Sequence, residues 1–97
     1  MIELKKEFKR NGVNFKQVYK DSDLAIYKTG FNSFEVFSLI VHKPDVYHND
    51  YYEMYPCSEY FGKCAWSCSD ENSVQRILKE HFKNHKLTVN GFICSGR

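Results

Sequence analysis

Two cysteines and two histidines have a spacing that could hold a metal ion. The pattern is Cys64-x3-Cys68-x12-His81-x3-His85, and thiolate and imidazole groups are the ligands that Zn²⁺ takes in structural sites. His81 and His85 are spaced to lie one turn apart on the same face of a helix. A zinc ion bound here would add the folding free energy that a small domain lacks.

The segment between the two cysteines argues against this metal site. If residues 63–67 are extended, the two sulfurs lie roughly 13 Å apart at about 3.3 Å per residue. Two zinc-bound sulfurs must lie within about 4.6 Å of each other. The segment also lacks a glycine-containing knuckle, and Asn72 stands where a zinc finger has its core aromatic residue. We therefore expect no cofactor, with zinc as an alternative. In the other interpretation, the cysteines are semi-buried thiols and the histidines flank a helix.

Catalytic chemistry has little support in the sequence. A cysteine and a histidine can form a nucleophilic pair, but no third orienting group and no oxyanion feature accompanies them. The chain contains no glycine-rich phosphate loop of the usual kind. Glu53 and Glu59 could act as paired acids, although acids in loops are usually just solvated. We therefore predict that the protein is not an enzyme.

Residues 44–62 contain the best candidate for a functional surface, because they combine tyrosines with acids and contain no lysine or arginine. The predicted partner contacts are Tyr47, Asp50, Tyr51, Tyr52 and Glu53. Tyrosine supplies a large contact area at low entropic cost, and protein interfaces are enriched in it. The acids would face a basic partner surface. For Tyr55, Phe61 and Trp66 we favour the alternative, in which the rings cover the sheet.

Charge is distributed unevenly along the chain, although the net charge is only +2. Residues 1–20 carry six Lys or Arg and two Glu, whereas residues 44–72 carry six acids and one Lys. A basic and aromatic sheet face near the amino terminus is therefore a second candidate, with nucleic acid as the partner. Its residues would be Lys5, Lys6, Phe8, Lys9, Arg10, Phe15 and Lys16. The acidic segment would repel phosphate if it lay nearby.

Periodicity and turn residues indicate the elements that must position these groups. Apolar, β-branched and aromatic stretches predict strands over 2–10, 13–19, 24–27, 34–41 and 63–67. Ser69 or Asp70 caps a helix whose apolar stripe runs to His85 at a 3.6-residue spacing. A last strand or hairpin is expected over 87–93. The predicted fold is α+β: an antiparallel β-meander with one helix from the C-terminal half packed on it, as a single domain over residues 1–97.

The first ten residues, MIELKKEFKR, are charged and have no apolar run behind them, unlike a signal peptide. No segment approaches the roughly 20 apolar residues of a membrane helix. We therefore expect a cytoplasmic protein that does not contact membranes and keeps its cysteines reduced. A homodimer is compatible with the sequence, because sheet edges and spare aromatic residues can serve one.

One block of the sequence resembles a family of small proteins that occur mainly in bacteriophages and mobile elements. The block is Tyr55-Pro56, then Glu59-Tyr60-Phe61-Gly62, then Ala65-Trp66, and weaker likeness extends over about residues 5–84. The resemblance implies a β-rich sheet with one helix, and no established activity, cofactor or catalytic residue. By analogy it suggests a phage-type accessory protein that binds, and inhibits or modulates, a host protein or defence complex in the host cytosol.

Overall fold

The computed structural model describes residues 1–30, 33–83 and 85. The strands in these ranges are β1 (Glu7–Arg10), β2 (Val13–Lys20), β3 (Leu24–Thr29), β4 (Ser33–Ser38), β5 (Val41–His42), β6 (Tyr52–Glu53) and β7 (Ala65–Cys68). The helix α1 spans Glu71–His81, and one 3₁₀ turn spans Ser58–Tyr60. The hairpin expected over 87–93 lies outside the described residues.

The main sheet is an antiparallel meander of four strands with a fifth strand added at its end. Its order is β1-β2-β3-β4-β7, and every neighbouring pair is antiparallel. Asn11 and Gly12 connect β1 to β2 with φ of 53° and 81°, a left-handed conformation that these two residue types tolerate. With α1 packed on this sheet, the predicted α+β fold is confirmed.

Each face of the main sheet carries a hydrophobic core, so alternate residues of the strands β3, β4 and β7 enter different cores. The helix-side core joins the helix to the central strands and consists of Leu24, Ile26, Phe34, Val36, Cys68, Val74, Ile77 and Leu78. The opposite core consists of Ala25, Tyr27, Phe37, Tyr55 and Ala65. Tyr55 comes from the long segment after β5, which therefore closes the face that the helix leaves open.

Asp70 begins α1. Its carboxylate accepts a hydrogen bond from the backbone N–H of Ser73 at 2.8 Å, and this bond lowers the pKa of Asp70. Of the two expected caps, the structure therefore uses Asp70. The predicted apolar stripe is present as far as Leu78, since Val74, Ile77 and Leu78 are buried against the sheet. The expectation that it runs to His85 is wrong, because α1 ends at His81 and His85 lies beyond the helix. No helix within the described part of the chain has the length and apolar character needed to cross a membrane.

A second, small sheet joins β5 to β6, which lies within residues 44–62. β6 pairs antiparallel with β5, and Ile2 pairs with the other side of β6. The Ile2 N–H donates to the Tyr51 carbonyl at 2.8 Å, and the Glu53 N–H donates to the Ile2 carbonyl at 2.9 Å. The edge strand expected over 2–10 is therefore only four residues long in the main sheet. The strand expected over 34–41 likewise ends at Ser38, and Val41 begins β5.

Candidate interaction surface

The most exposed large apolar side chains of the described residues lie at one turn between β5 and β6. Val46 is 89% exposed and Tyr47 is 87% exposed. They are the two central residues of a tight turn, because the backbones of Asp45 and His48 exchange hydrogen bonds of 3.0 and 3.3 Å. This turn, residues 45–48, is called the tip below. It presents an aliphatic and an aromatic side chain together to solvent.

Asp45 holds the tip closed. Its Oδ1 accepts the N–H groups of Tyr47 and His48, each at 2.9 Å, and lies 3.0 Å from Nδ1 of His48. Its Oδ2 accepts the hydroxyl of Tyr52 at 2.9 Å. The His48 side chain, followed by the Tyr52 hydroxyl, lowers the pKa of Asp45 to about 2. Hydrogen bonds to the charged form favour that form, so Asp45 stays ionised and its bonds to the tip persist at neutral pH.

Tyr52 connects the tip to the second sheet. Its ring stacks on the imidazole of His48, with centroids 3.7 Å apart and planes 12° apart, and on His42 at 5.1 Å and 16°. Its hydrogen bond to Asp45 raises the pKa of the Tyr52 hydroxyl. Only 8% of Tyr52 is exposed. This tyrosine supports the tip from beneath and offers a partner almost no surface.

Glu53 faces the protein interior. Its side chain is 2% exposed, and its Oε1 lies 3.1 Å from Nζ of Lys20. The same oxygen accepts the Leu4 N–H at 3.0 Å. Burial by itself lowers the pKa of Lys20, but the hydrogen bonds and charges of Glu53 and Glu3 together outweigh that effect and raise it. The expectation that Tyr52 and Glu53 contact a partner is therefore corrected, because both side chains are buried and used inside the protein.

Asp50 and Tyr51 lie at the surface. Asp50 accepts the Tyr51 N–H at 2.7 Å through Oδ1, and its Oδ2 lies 2.9 Å from the amino group of Met1. The Tyr51 ring is about half exposed. Of the five expected contact residues, Tyr47, Asp50 and Tyr51 are therefore accessible to a partner. Val46 was missed by sequence reasoning, although Asp45 is itself a turn signal, because an aspartate side chain can accept a hydrogen bond from the backbone N–H two residues on.

The four side chains of the alternative zinc site are not brought together. Cys68 lies in the helix-side core, and burial raises the pKa of its thiol, which disfavours the thiolate that a metal needs. The ring of His81 stacks on Trp66 with centroids 4.2 Å apart. Nε2 of His85 lies 2.7 Å from Oδ2 of Asp21 instead. Cys68, His81 and His85 thus lie in three different surroundings. Together with Cys64 they do not form a metal site.

Asp21, Asp23 and His85 form the one group of three metal-ligand side chains whose donor atoms lie within 4.8 Å of one another in the described residues. Asp21 is already saturated. Its Oδ1 accepts the N–H groups of Asp23 and Leu24 at 2.8 and 3.1 Å. Its Oδ2 contacts the Tyr19 hydroxyl at 2.6 Å and His85 at 2.7 Å. Four contacts occupy the roughly four lone-pair sites of a carboxylate. The cluster is therefore explained as the closure of the β2–β3 turn.

The basic and aromatic face expected near the amino terminus is divided between the two faces of the sheet. Phe8 and Phe15 stack at 4.8 Å and pack against the core that contains Tyr55. The Arg10 guanidinium lies over these three rings at 5.4 to 5.6 Å. Lys9 and Lys16 alternate with the two phenylalanines along β1 and β2 and point to the other face. The rings therefore cannot stack on bases beside these lysines.

No protein-family model, curated protein or solved structure matches the chain. The likeness to small bacteriophage proteins thus stays a prediction from the residue pattern.

Proposed function

We propose that this protein is a binding module that engages a protein partner through the tip, with Tyr47 as the anchor and Val46 beside it. The observation that supports this most is that a fully exposed Val–Tyr pair sits on a turn that Asp45 closes through several hydrogen bonds. A surface that is already ordered loses less conformational entropy on binding. Tyrosine is also among the residues that most often dominate binding energy at interfaces.

The expected partner surface is an apolar pocket with a basic rim. Residues 44–62 contain four acids and no lysine or arginine. The charge of Glu53 is offset by Lys20 and that of Asp50 by the Met1 amino group, which leaves Asp45 and Glu59 to set the sign of this region. Charge complementarity of this kind contributes specificity and a faster association rate more than affinity.

The size of the tip limits the affinity that it can provide. Burying two side chains of this size contributes roughly 3–6 kcal/mol before the costs of association. A dissociation constant of 1 mM already corresponds to about 4.1 kcal/mol. Binding in the micromolar range therefore requires contacts beyond the tip, and Tyr51 and Asp50 are the accessible residues beside it in sequence. We expect the tip to decide which partner is recognised and its neighbours to strengthen binding.

A more specific form of the proposal is a phage-type accessory protein that inhibits or modulates a host enzyme or defence complex in the host cytosol. It rests on the resemblance of the Tyr55–Trp66 block alone. Such a protein would act by covering a surface of its target, and it would need no catalytic residue or cofactor of its own.

The proposed function is tested by asking whether the protein captures a partner from a cell extract and whether this capture requires the tip. The wild type, Tyr47→Ala and a control, Val13→Ala, are immobilised at equal density and exposed to the same cell extract. Val13 is also exposed but lies on β2, away from the tip. The proposal expects one stoichiometric protein that the wild type and the control retain and that Tyr47→Ala loses. Equal recovery on all three surfaces, or no stoichiometric protein on any, contradicts it.

A further inference from the structure

A row of lysines crosses three neighbouring strands of the main sheet. Lys16 of β2 lies directly opposite Lys28 of β3 on one side and opposite Glu7 of β1 on the other, and Lys9 lies opposite Asn14. Residues that pair directly across strands point to the same face. The three lysines therefore share the helix side of the sheet. The helix itself packs against β4 and β7, so it leaves this part of the face uncovered.

Among the described residues, no carboxylate forms a salt bridge with this lysine row, although Glu7 lies opposite Lys16 on the same face. Like charges directly opposite across two strands are destabilising, and neighbouring strands are only about 4.8 Å apart. Every Asp and Glu of the chain lies in the described ranges, and none has a carboxylate within 4.0 Å of the Lys9, Lys16 or Lys28 ammonium group. Lys20 on the same strand is different, because Glu53 and Glu3 lie 3.1 and 3.7 Å from it.

The same lysines line a shallow cavity of about 590 Å³, together with Glu7, Asn14, Gly30 and two residues, Phe8 and Phe15, whose rings pack against the opposite core. This volume lies within the range of small-molecule sites, about 300–1,000 Å³. Beyond Lys28 the next depression contains Asp70 and Glu71 at the start of α1, so the positive region ends there. It spans two strand spacings, or about 10 Å.

We propose that this cavity binds the phosphate groups of a compact phosphorylated ligand. Lysine ammonium groups bind phosphate as point charges through charge-assisted hydrogen bonds, and the Asn14 amide supplies a neutral donor. A region about 10 Å long accommodates one or two phosphates. A nucleic-acid strand is bound by a longer basic groove with stacking rings, and here Phe8 and Phe15 face the opposite core. The site is separate from the tip and does not depend on the protein partner.

The ligand test is a titration of ¹⁵N-labelled protein with sodium pyrophosphate at constant ionic strength, with the single-stranded oligonucleotide dT8 as a second arm. The proposal expects saturable amide shifts on β1, β2 and β3 with pyrophosphate. It expects the dissociation constant to rise about fivefold or more in Lys16→Gln/Lys28→Gln, since two charge-assisted contacts are lost. The control Lys63→Gln, an exposed lysine outside this row, keeps the wild-type affinity.

Three outcomes would overturn the proposal. One is the absence of saturable shifts, and another is equal affinity in the double variant. The third is binding of dT8 alone with an affinity that falls steeply with salt, which would assign a nucleic-acid backbone as the ligand. Thermal unfolding tests independently whether Lys16 and Lys28 repel each other. Lys28→Gln should raise Tm in phosphate-free buffer because it relieves the repulsion from Lys16, and a lower Tm would contradict an uncompensated pair.

Discussion

The hydroxyl of Tyr52 donates a 2.9 Å hydrogen bond to Oδ2 of Asp45, while Oδ1 of the same carboxylate holds the backbone of the turn that exposes Val46 and Tyr47. The buried Tyr52 ring thus supports the exposed Val46 and Tyr47 through the carboxylate of Asp45. This arrangement separates residues that build the proposed surface from residues that would touch a partner, so substitutions can test the two roles independently.

Asp45→Ala should loosen the tip without unfolding the protein. The substitution removes the acceptor of the Tyr47 and His48 N–H groups, and an exposed site contributes little to global stability. We expect faster amide exchange at Tyr47 and His48, with Tm changed little. Hydrogen exchange by NMR measures this, with Asp50→Ala as the control. Unchanged protection at His48 in Asp45→Ala would show that the turn is held by other contacts.

Acidic pH should weaken two turns over the same pH range: the tip, which Asp45 holds closed, and the β2–β3 turn, which Asp21 holds closed. The pKa of Asp45 is lowered to about 2 by His48 and Tyr52, and that of Asp21 to about 2 by hydrogen bonds that outweigh its burial. A carboxyl whose pKa is lower in the folded state stabilises the fold above its unfolded pKa, near 3.9. That contribution is lost as pH falls from about 4 towards 2. Urea unfolding at pH 6, 4 and 2.5 should show the loss, with the larger share from Asp21, because Asp45 lies at the surface and solvent screens its interactions.

Asp21→Asn should remove part of this pH dependence, because the amide does not titrate. The variant should therefore lose less stability than the wild type between pH 4 and 2.5. Glu59→Gln, a surface substitution in the acidic segment, is the matched control and should follow the wild type. A pH dependence in Asp21→Asn as steep as that of the wild type would contradict the assigned role of the β2–β3 turn.

Glu53→Ala should destabilise the fold by about 2 kcal/mol. The change leaves the Lys20 ammonium without its nearest partner and the Leu4 N–H without its acceptor. Removing one member of a fully buried pair costs about 3–5 kcal/mol, and we expect less here because Lys20 is 17% exposed. Chemical denaturation measures the difference. The exposed Glu59→Ala should stay within about 0.5 kcal/mol of the wild type, and equal effects of the two would contradict the buried role of Glu53.

Tyr55→Ala should cost about 4 kcal/mol, because it empties the centre of an aromatic core. The Tyr55 ring lies 4.7 to 5.6 Å from the rings of Phe8, Phe15, Tyr27 and Phe37. Tyr55→Phe keeps the ring and removes only the 2.5 Å hydrogen bond to Glu35, at a cost of about 1–2 kcal/mol. Urea unfolding of both variants checks the order. A Phe variant as unstable as the Ala variant would mean that the hydroxyl, not the ring, is essential.

Local signals made the main sheet and the helix predictable. Residues that favour turns, such as Asn11-Gly12, stand at the ends of β1, β2 and β3, and Asp70 precedes an apolar stripe at helical spacing. β6 was not predictable from the sequence, because a strand of two residues is too short to show an alternating pattern of apolar and polar residues. Its partners also come from elsewhere in the chain, since the Leu4 N–H that binds Glu53 lies 49 residues away in sequence.

The candidate surface was predictable only as a region. Tyr47 and Tyr52 have equally polar neighbours in the sequence, and only the pairing of β5 with β6 places one over His42 and leaves the other in solvent. Glu53 is buried because Lys20 reaches it from a different sheet. The zinc spacing was misleading for a similar reason: β7 carries Cys68 into the helix-side core, and His85 meets Asp21 at a distant turn.

The affinity of the Tyr47→Ala variant for the captured partner tests the central claim most directly. Titration calorimetry would compare the wild type, Tyr47→Ala and Val13→Ala after circular dichroism has shown the same fold and Tm for all three. The account predicts that Tyr47→Ala weakens binding by at least about 2 kcal/mol, roughly thirtyfold, as for an interface anchor, while Val13→Ala binds like the wild type. Equal affinity of all three proteins would contradict it.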